Sequence, residues 1–137
     1  MTNKVETQWK GDMAFDSIVS GHHVMMDAAE DVGGKDSGAR PKQLMLAALA
    51  GCTGMDVISI LKKMKIEPEE FKIDVEGNLT EEHPKYYDKM HIIYSFKGNN
   101  LDVEKIRKAI ELSQEKYCGV SAVYKQTMPV TYEIVIL

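Results

Sequence analysis

The sequence predicts an α+β fold in which antiparallel sheet covers helices. Three observations predict it. Runs that alternate apolar and polar residues appear before residue 30, between residues 71 and 96, and at the end of the chain. One stretch, residues 44–50, is apolar on every side of a helix, which marks a central, buried helix. The order is three strands, a long helix, two strands, a helix and a final strand. At 137 residues the chain suits a single domain spanning residues 1–137.

Val5, Thr7 and Trp9 alternate with polar neighbours and place a strand near residues 4–10. Gly11-Asp12 fits a two-residue turn with Gly in its first central position. Met13, Ala14 and Phe15 open a second strand that runs to Val19, and Ser20-Gly21 turns into a third strand over residues 22–28. The N-terminal third is therefore a three-stranded antiparallel meander. Residues 30–39 hold Gly33, Gly34 and Gly38 with Lys35, Asp36 and Ser37 and no apolar period, which predicts a mobile loop.

Pro41 suits the first position of a helix, where its missing N–H costs nothing. Good helix formers continue to about Lys65. Val57, Ile60, Leu61 and Met64 share a face near the end, and Lys62, Lys63 and Lys65 complement the C-terminal dipole. Gly51 and Gly54 flank Cys52, each at a cost of ~1 kcal/mol relative to Ala. They fit a bend or the close approach of another backbone, and equally simple tight packing. Phe71, Ile73, Val75 and Leu79 form one strand face, and Met90, Ile92, Tyr94 and Phe96 another. Asp102 can cap a second helix whose inner side carries Val103, Ile106, Ile110, Ser113 and Tyr117. Residues 119–126 fit a short extra helix, and Val130, Tyr132, Ile134 and Ile136 a last strand. A helix of ~25 residues is ~37 Å long, and one sheet covers only one side of it. A homodimer, with a second copy covering the other side, is the expectation.

The chain carries 17 Lys plus Arg against 21 Asp plus Glu, a formal charge of −4. That balance argues against attachment to nucleic acid or anionic lipid. The stretch 44–50 falls short of the ~20 residues that span a bilayer, and the first residues lack the apolar run of a signal peptide. The expected location is cytoplasmic.

Two cysteines, Cys52 and Cys118, are present without a Cys-x-x-Cys pair, which excludes a zinc ribbon or thioredoxin-type motif. In a reducing compartment they can be two buried thiols packed as small hydrophobes. They can also be a redox pair: a thiolate that attacks peroxide becomes a sulfenic acid, and a second thiol condenses with it to a disulfide. That chemistry needs no metal and no organic cofactor, and none is expected. His22 and His23 adjoin on a strand and point to opposite faces, so they do not chelate one metal together. Asp56 stands four residues after Cys52 on the same side of the helix, where a carboxylate would raise a thiol's pKa.

The run Arg40-Pro41-Lys42-Gln43-Leu44, followed by Leu46-Ala47-Ala48-Leu49-Ala50-Gly51-Cys52-Thr53-Gly54-Met55-Asp56, resembles the central helix of the OsmC/Ohr family. These are the osmotically inducible and organic-hydroperoxide-resistance proteins. The family pattern there is Asn-Pro-Glu-Glu/Gln-Leu, an alanine-rich run and the reactive Cys. Glu115-Lys116-Tyr117-Cys118-Gly119-Val120-Ser121 resembles the second cysteine motif, Cys-Pro-Val-Ser, and Trp9-Lys10-Gly11-Asp12 is similar to the family's opening. The resemblance covers the whole chain. It implies an OsmC-like intertwined homodimer, with antiparallel sheets wrapped around two central helices. It also implies thiol-dependent reduction of organic hydroperoxides. In that scheme Cys52 attacks the peroxide, Cys118 resolves the product to a disulfide, and an external dithiol reduces it. Met45, Leu49, Met55, Trp9 and Phe15 are candidates for an apolar wall beside Cys52.

The sequence departs from the family at two positions. Lys42 follows Pro41 where family peroxidases carry Glu, and no Arg occurs near Val24–Met26, where their thiolate-facing Arg is expected. Arg40 and Lys42 are the candidate replacements as thiolate partners, although ten residues of straight helix from Lys42 to Cys52 amount to ~15 Å of rise. A thiolate in a poorly solvated site needs a positive neighbour. The alternative is an OsmC-like protein that binds a small apolar molecule in the dimer cleft without catalysis.

Overall fold

The alternation at the N-terminus produces β1 (Glu6–Trp9), β2 (Phe15–Val19) and β3 (His22–Met26), an antiparallel sheet in the order β1-β2-β3. Val19 pairs with His22 across Ser20 (φ 52) and Gly21 (φ 79). Two successive left-handed residues make the turn whose twist matches the strands it joins. The first hairpin is wider than the two-residue turn that Gly11-Asp12 suggests. Trp9 pairs with Phe15, and the Ala14 amide donates to the Gly11 carbonyl at 2.9 Å, so β2 starts at Phe15 rather than Met13.

The computed structural model describes all 137 residues and divides into two compact units, Met1–Met45 and Leu46–Leu137. In the first, the glycine-rich loop expected to be mobile is instead tied down. A 3₁₀ turn covers Glu30–Val32. The buried carboxylate of Asp27 accepts from the amides of Ala28 (2.7 Å), Lys35 (3.1 Å) and Ser37 (3.1 Å) and from the Ser37 hydroxyl (2.7 Å). These donors, the Ser37 hydroxyl first, hold its carboxyl far below the ordinary value of 3.8. Two of the loop's glycines are required by space. A Cβ on Gly34 would stand 2.0 Å from the Ala28 carbonyl oxygen, and one on Gly38 would stand 2.5 Å from that of Met25.

Helix α1 (Pro41–Lys63) begins at its proline and ends two residues before the expected Lys65. In the second unit β4 (Glu70–Leu79) pairs antiparallel with β5 (Tyr87–Lys97). The last strand, β6 (Val130–Ile136), pairs parallel to β5, from Met90 opposite Val130 to Phe96 opposite Ile136. The expectation of antiparallel pairing throughout is corrected here. The β5–β6 connection carries helices, and such a crossover returns the chain to the end of the sheet where β5 began. The six strands thus form two three-stranded sheets. Helix α2 (Val103–Leu112) is capped by Asp102, whose side chain accepts from the amides of Glu104 and Lys105.

The core of this unit joins Leu49, Val57 and Leu61 of α1, Met90, Ile92, Tyr94 and Phe96 of β5, and Ile106, Ala109 and Ile110 of α2. Each Val, Leu, Ile, Met or Phe side chain among them contributes about 1.5–3 kcal/mol on burial. Phe71 stacks on Phe96 with ring centres 4.5 Å apart, and Tyr94 meets Tyr132 edge-on at 5.9 Å. Of the two helix glycines, Gly54 marks a close approach: a Cβ there would lie 2.9 Å from Ile73 Cδ1. Gly51 faces open space. On length and composition α1 could cross a membrane, more than its most apolar stretch suggested. Only its stripe Leu49, Thr53, Val57 and Leu61 is buried, which corrects the expectation of a helix enclosed on every side: the chain itself covers one face of α1 and leaves the rest open. Met55, 74% exposed, and Ile58 lie outside that stripe.

Candidate thiol site

Cys52 sits midway along α1, half-buried, one residue before the fully buried Thr53. Cys118 is placed by an irregularity that the apolar spacing of the sequence does not reveal. After α2 the chain makes one π-helical turn, Ser113–Tyr117, closed by the Cys118 amide donating to the Ser113 carbonyl at 2.7 Å. A π turn holds one residue more than an α turn. The extra residue turns Gln114 inward beside Ser113 and leaves Tyr117 exposed, which corrects the expectation that Tyr117 shares the inner face. Cys118 follows, 3% exposed, and caps the short helix α3 (Gly119–Tyr124) by accepting from the Ser121 amide at 3.3 Å.

Both cysteines are free. The two sulfurs and a carboxylate oxygen of Asp56 all lie within 4.8 Å of one another. Burial pushes the Cys118 thiol up to about 11; its hydrogen bond with the Cys52 side chain and the charges of Cys52 and Asp56 add to the rise, and the Ser121 amide opposes it.

Behind the sulfurs lies a buried polar network that sequence reading missed. Thr53 Oγ1 is 2.6 Å from Tyr94 Oη, 2.8 Å from Ser113 Oγ and 3.2 Å from Gln114 Nε2. Gln114 Nε2 also donates to Tyr94 Oη at 3.0 Å. Ser113 Oγ donates to Asp56 Oδ2 at 3.0 Å. Ser121 Oγ donates to Gln114 Oε1 at 2.7 Å, and Lys125 Nζ to the Gln114 carbonyl at 3.0 Å. The proton directions follow from counting. Ser113 spends its hydrogen on Asp56, so Thr53 donates to Ser113. Thr53 then accepts from Gln114 and from Tyr94. A directed chain runs from Tyr94 through Thr53 and Ser113 to the Asp56 carboxylate beside the sulfurs. Tyr94 ionises only at about 12, chiefly because it is buried. Thr53, Ser113 and Ser121 flank the cysteines or the helix's inner stripe, but small hydroxyls at helix positions carry no signal of their own.

The remaining candidates lie as follows. Arg40 donates from Nη1 to Asp36 Oδ1 at 2.7 Å and to the Gly38 carbonyl at 3.0 Å, so its charge is already met within its own loop. Lys42 is exposed in the first turn of α1. His23 Nδ1 lies 2.8 Å from Asp16 Oδ2, and His91 Nδ1 lies 2.7 Å from Thr131 Oγ1. Leu49 is core, whereas Trp9, Phe15, Met45 and Met55 are exposed.

The family model described as OsmC-like protein matches residues 34–133, which include both cysteines, α1 and the π turn. The chain belongs to the OsmC-like family. Protein YhfA of Escherichia coli K12 is 27% identical over 135 residues, covering 96% of this chain and 98% of its own. Among solved structures, a hypothetical protein from Aquifex aeolicus VF5 aligns over 100% of this chain and 98% of its own, with TM-score 0.84 and 29% identity. OhrB, the organic hydroperoxide resistance protein of Bacillus subtilis, covers 98% of each chain with TM-score 0.69 and 20% identity, and so shares the fold. As an OsmC-like protein the chain has an α+β fold of two three-stranded sheets and three α-helices.

Proposed function

We propose that this OsmC-like protein is a cofactor-free thiol peroxidase that reduces organic hydroperoxides in the cytoplasm. The supporting observation is the sulfur pair: two free thiols within 4.8 Å, 66 residues apart in sequence. One is half-buried and reachable, the other is enclosed. Some structural neighbours carry the name organic hydroperoxide resistance protein.

The half-buried Cys52 is the attacking sulfur. Its thiolate takes the terminal peroxide oxygen, the O–O bond breaks, and the alkoxide leaves and picks up a proton as the alcohol. Cys52 is then a sulfenic acid. The Cys118 sulfur attacks it, a disulfide forms, and the Cys118 proton leaves with the hydroxyl as water. An external dithiol restores both thiols and becomes a disulfide itself. Lys42 remains a candidate thiolate partner, and Arg40 would serve only by leaving Asp36. An unchanged oxidation rate in Lys42→Met removes Lys42 from the site.

The assay is titration of free thiols before and after one equivalent of cumene hydroperoxide. Two thiols per chain disappear, Cys52→Ser abolishes the loss, and Cys118→Ser stops at a sulfenic acid that dimedone traps. Persistence of both thiols overturns the reading. A second reading has its own support. Met13, Phe15, Met26, Ala28, Val32 and Pro41 line an apolar groove of about 390 Å³ in the first unit. A groove of that kind suits a small apolar ligand bound without chemistry, and persistent thiols together with ligand binding would favour it.

The exposed apolar residues fit a homodimer. Trp9, 62% exposed, with Phe15 on the sheet and Met55 and Ile58 on α1, are costly to leave in water on a lone chain. Sedimentation of the purified chain tests this, and a monomer at micromolar concentration overturns it.

A further inference from the structure

The three atoms that meet at the thiol site are also a ligand set. Cys52 and Asp56 stand four residues apart on one side of α1, the spacing that aims two side chains at one point. Cys118 approaches from the end of the π turn. In a tetrahedral zinc site, with Zn–S near 2.3 Å and Zn–O near 2.0–2.2 Å, ligand atoms stand about 3.3–3.8 Å from each other. The present spacing, within 4.8 Å for every pair, needs a closure of about 1.5 Å at most. The outer partners that metal ligands require are in place. Ser113 Oγ fixes Asp56 Oδ2 at 3.0 Å, and the Ser121 amide points at the Cys118 sulfur at 3.3 Å. Two thiolates and a carboxylate would carry three negative charges, which a divalent cation offsets.

We propose that the reduced protein binds one thiophilic divalent cation, of the zinc class, through Cys52 Sγ, Asp56 and Cys118 Sγ, with the fourth position left to water. Soft sulfur ligands select such a metal over magnesium or calcium. The bound metal occupies the sulfur lone pairs that would otherwise meet a peroxide, so the metal-loaded chain is a protected state. Disulfide formation removes two of the three ligands, so the same site cannot be loaded once oxidised. The inference stands apart from peroxidase activity, because binding is measured with no peroxide present.

The test is titration of the reduced, metal-free full chain with cobalt(II), then displacement by zinc. One equivalent per chain gives a near-ultraviolet thiolate-to-cobalt charge-transfer band, and zinc abolishes it. Cys52→Ser and Cys118→Ser each lose the band or bind at least about 100-fold more weakly. Asp56→Asn keeps an acceptor for Ser113 and so keeps the fold; it weakens binding about 10-fold or more while the sulfur band persists. Absence of the band in the native chain overturns the proposal. So does binding of equal strength in the Asp56 variant or in either cysteine variant.

Discussion

Replacing Thr53 by Val keeps the side chain's shape and removes the hub of the buried network. The cost can be worked from the proton directions. Ser113 still donates to Asp56 and loses only an incoming bond. Tyr94 loses the acceptor for its hydroxyl hydrogen, and Gln114 loses the acceptor for one of its two amide hydrogens. Two buried donors are left unpaired, at about 1–3 kcal/mol each, so Thr53→Val costs roughly 2–6 kcal/mol. Tyr94→Phe leaves one unpaired donor, on Gln114, because Thr53 still accepts from that amide and donates to Ser113. It costs roughly 1–3 kcal/mol. The double variant again leaves two unpaired donors, both on Gln114, and so costs less than the sum of the singles. Urea unfolding followed by far-ultraviolet circular dichroism, at one protein concentration, measures all three; the midpoint falls and the slope stays constant. A Thr53→Val protein as stable as Tyr94→Phe, or strictly additive singles, would refute the directed network.

Three further outcomes are expected. The Asp27 carboxyl is lower in the folded chain than its ordinary 3.8, so its stabilisation is complete above that value and declines as pH falls below it; Asp27→Asn flattens that part of the acid unfolding curve and speeds hydrogen exchange at the amides of Lys35 and Ser37. Gly34→Ala drives a Cβ to 2.0 Å from a backbone oxygen and lowers stability by at least about 1–3 kcal/mol, read as a fall in Tm. Gly54→Ala must turn aside the tip of Ile73, which offsets the ~1 kcal/mol helix gain and leaves stability about unchanged, whereas Gly51→Ala meets nothing in its own chain and adds up to ~1 kcal/mol.

Much of the fold was legible because burial writes a period into the sequence. Val5, Thr7 and Trp9, then Phe71, Ile73 and Val75, alternate as half-wet strands do, and β1 and β4 lie there. Pro41 and Asp102 announced the two long helices at the correct residues. Strand direction was not legible: Val130, Tyr132 and Ile134 alternate equally well in either sense, and only the helical crossover decides it. The π turn was hidden for a similar reason. The apolar residues before it keep an ordinary helical spacing, and nothing in Ser113 or Gln114 marks where the period slips. The glycine loop looked mobile because its anchor is one carboxylate, Asp27, whose role depends on donors eight to ten residues away. At the thiol site both cysteines and Asp56 could be named from sequence. The hydroxyl chain behind them could not, because each member is a common polar residue until the fold removes it from water.

The single π turn makes the partnership of the sulfurs a matter of chain length. Each residue advances an α-helix by about 100°, and the π turn absorbs one residue more than an α turn, so straightening the bulge at the same chain length would swing the second sulfur about a quarter-turn away from the first. No chemical group need be lost for that to happen. A relative one residue shorter in this segment, with both cysteines intact, would reach the same meeting of sulfurs through an ordinary α turn.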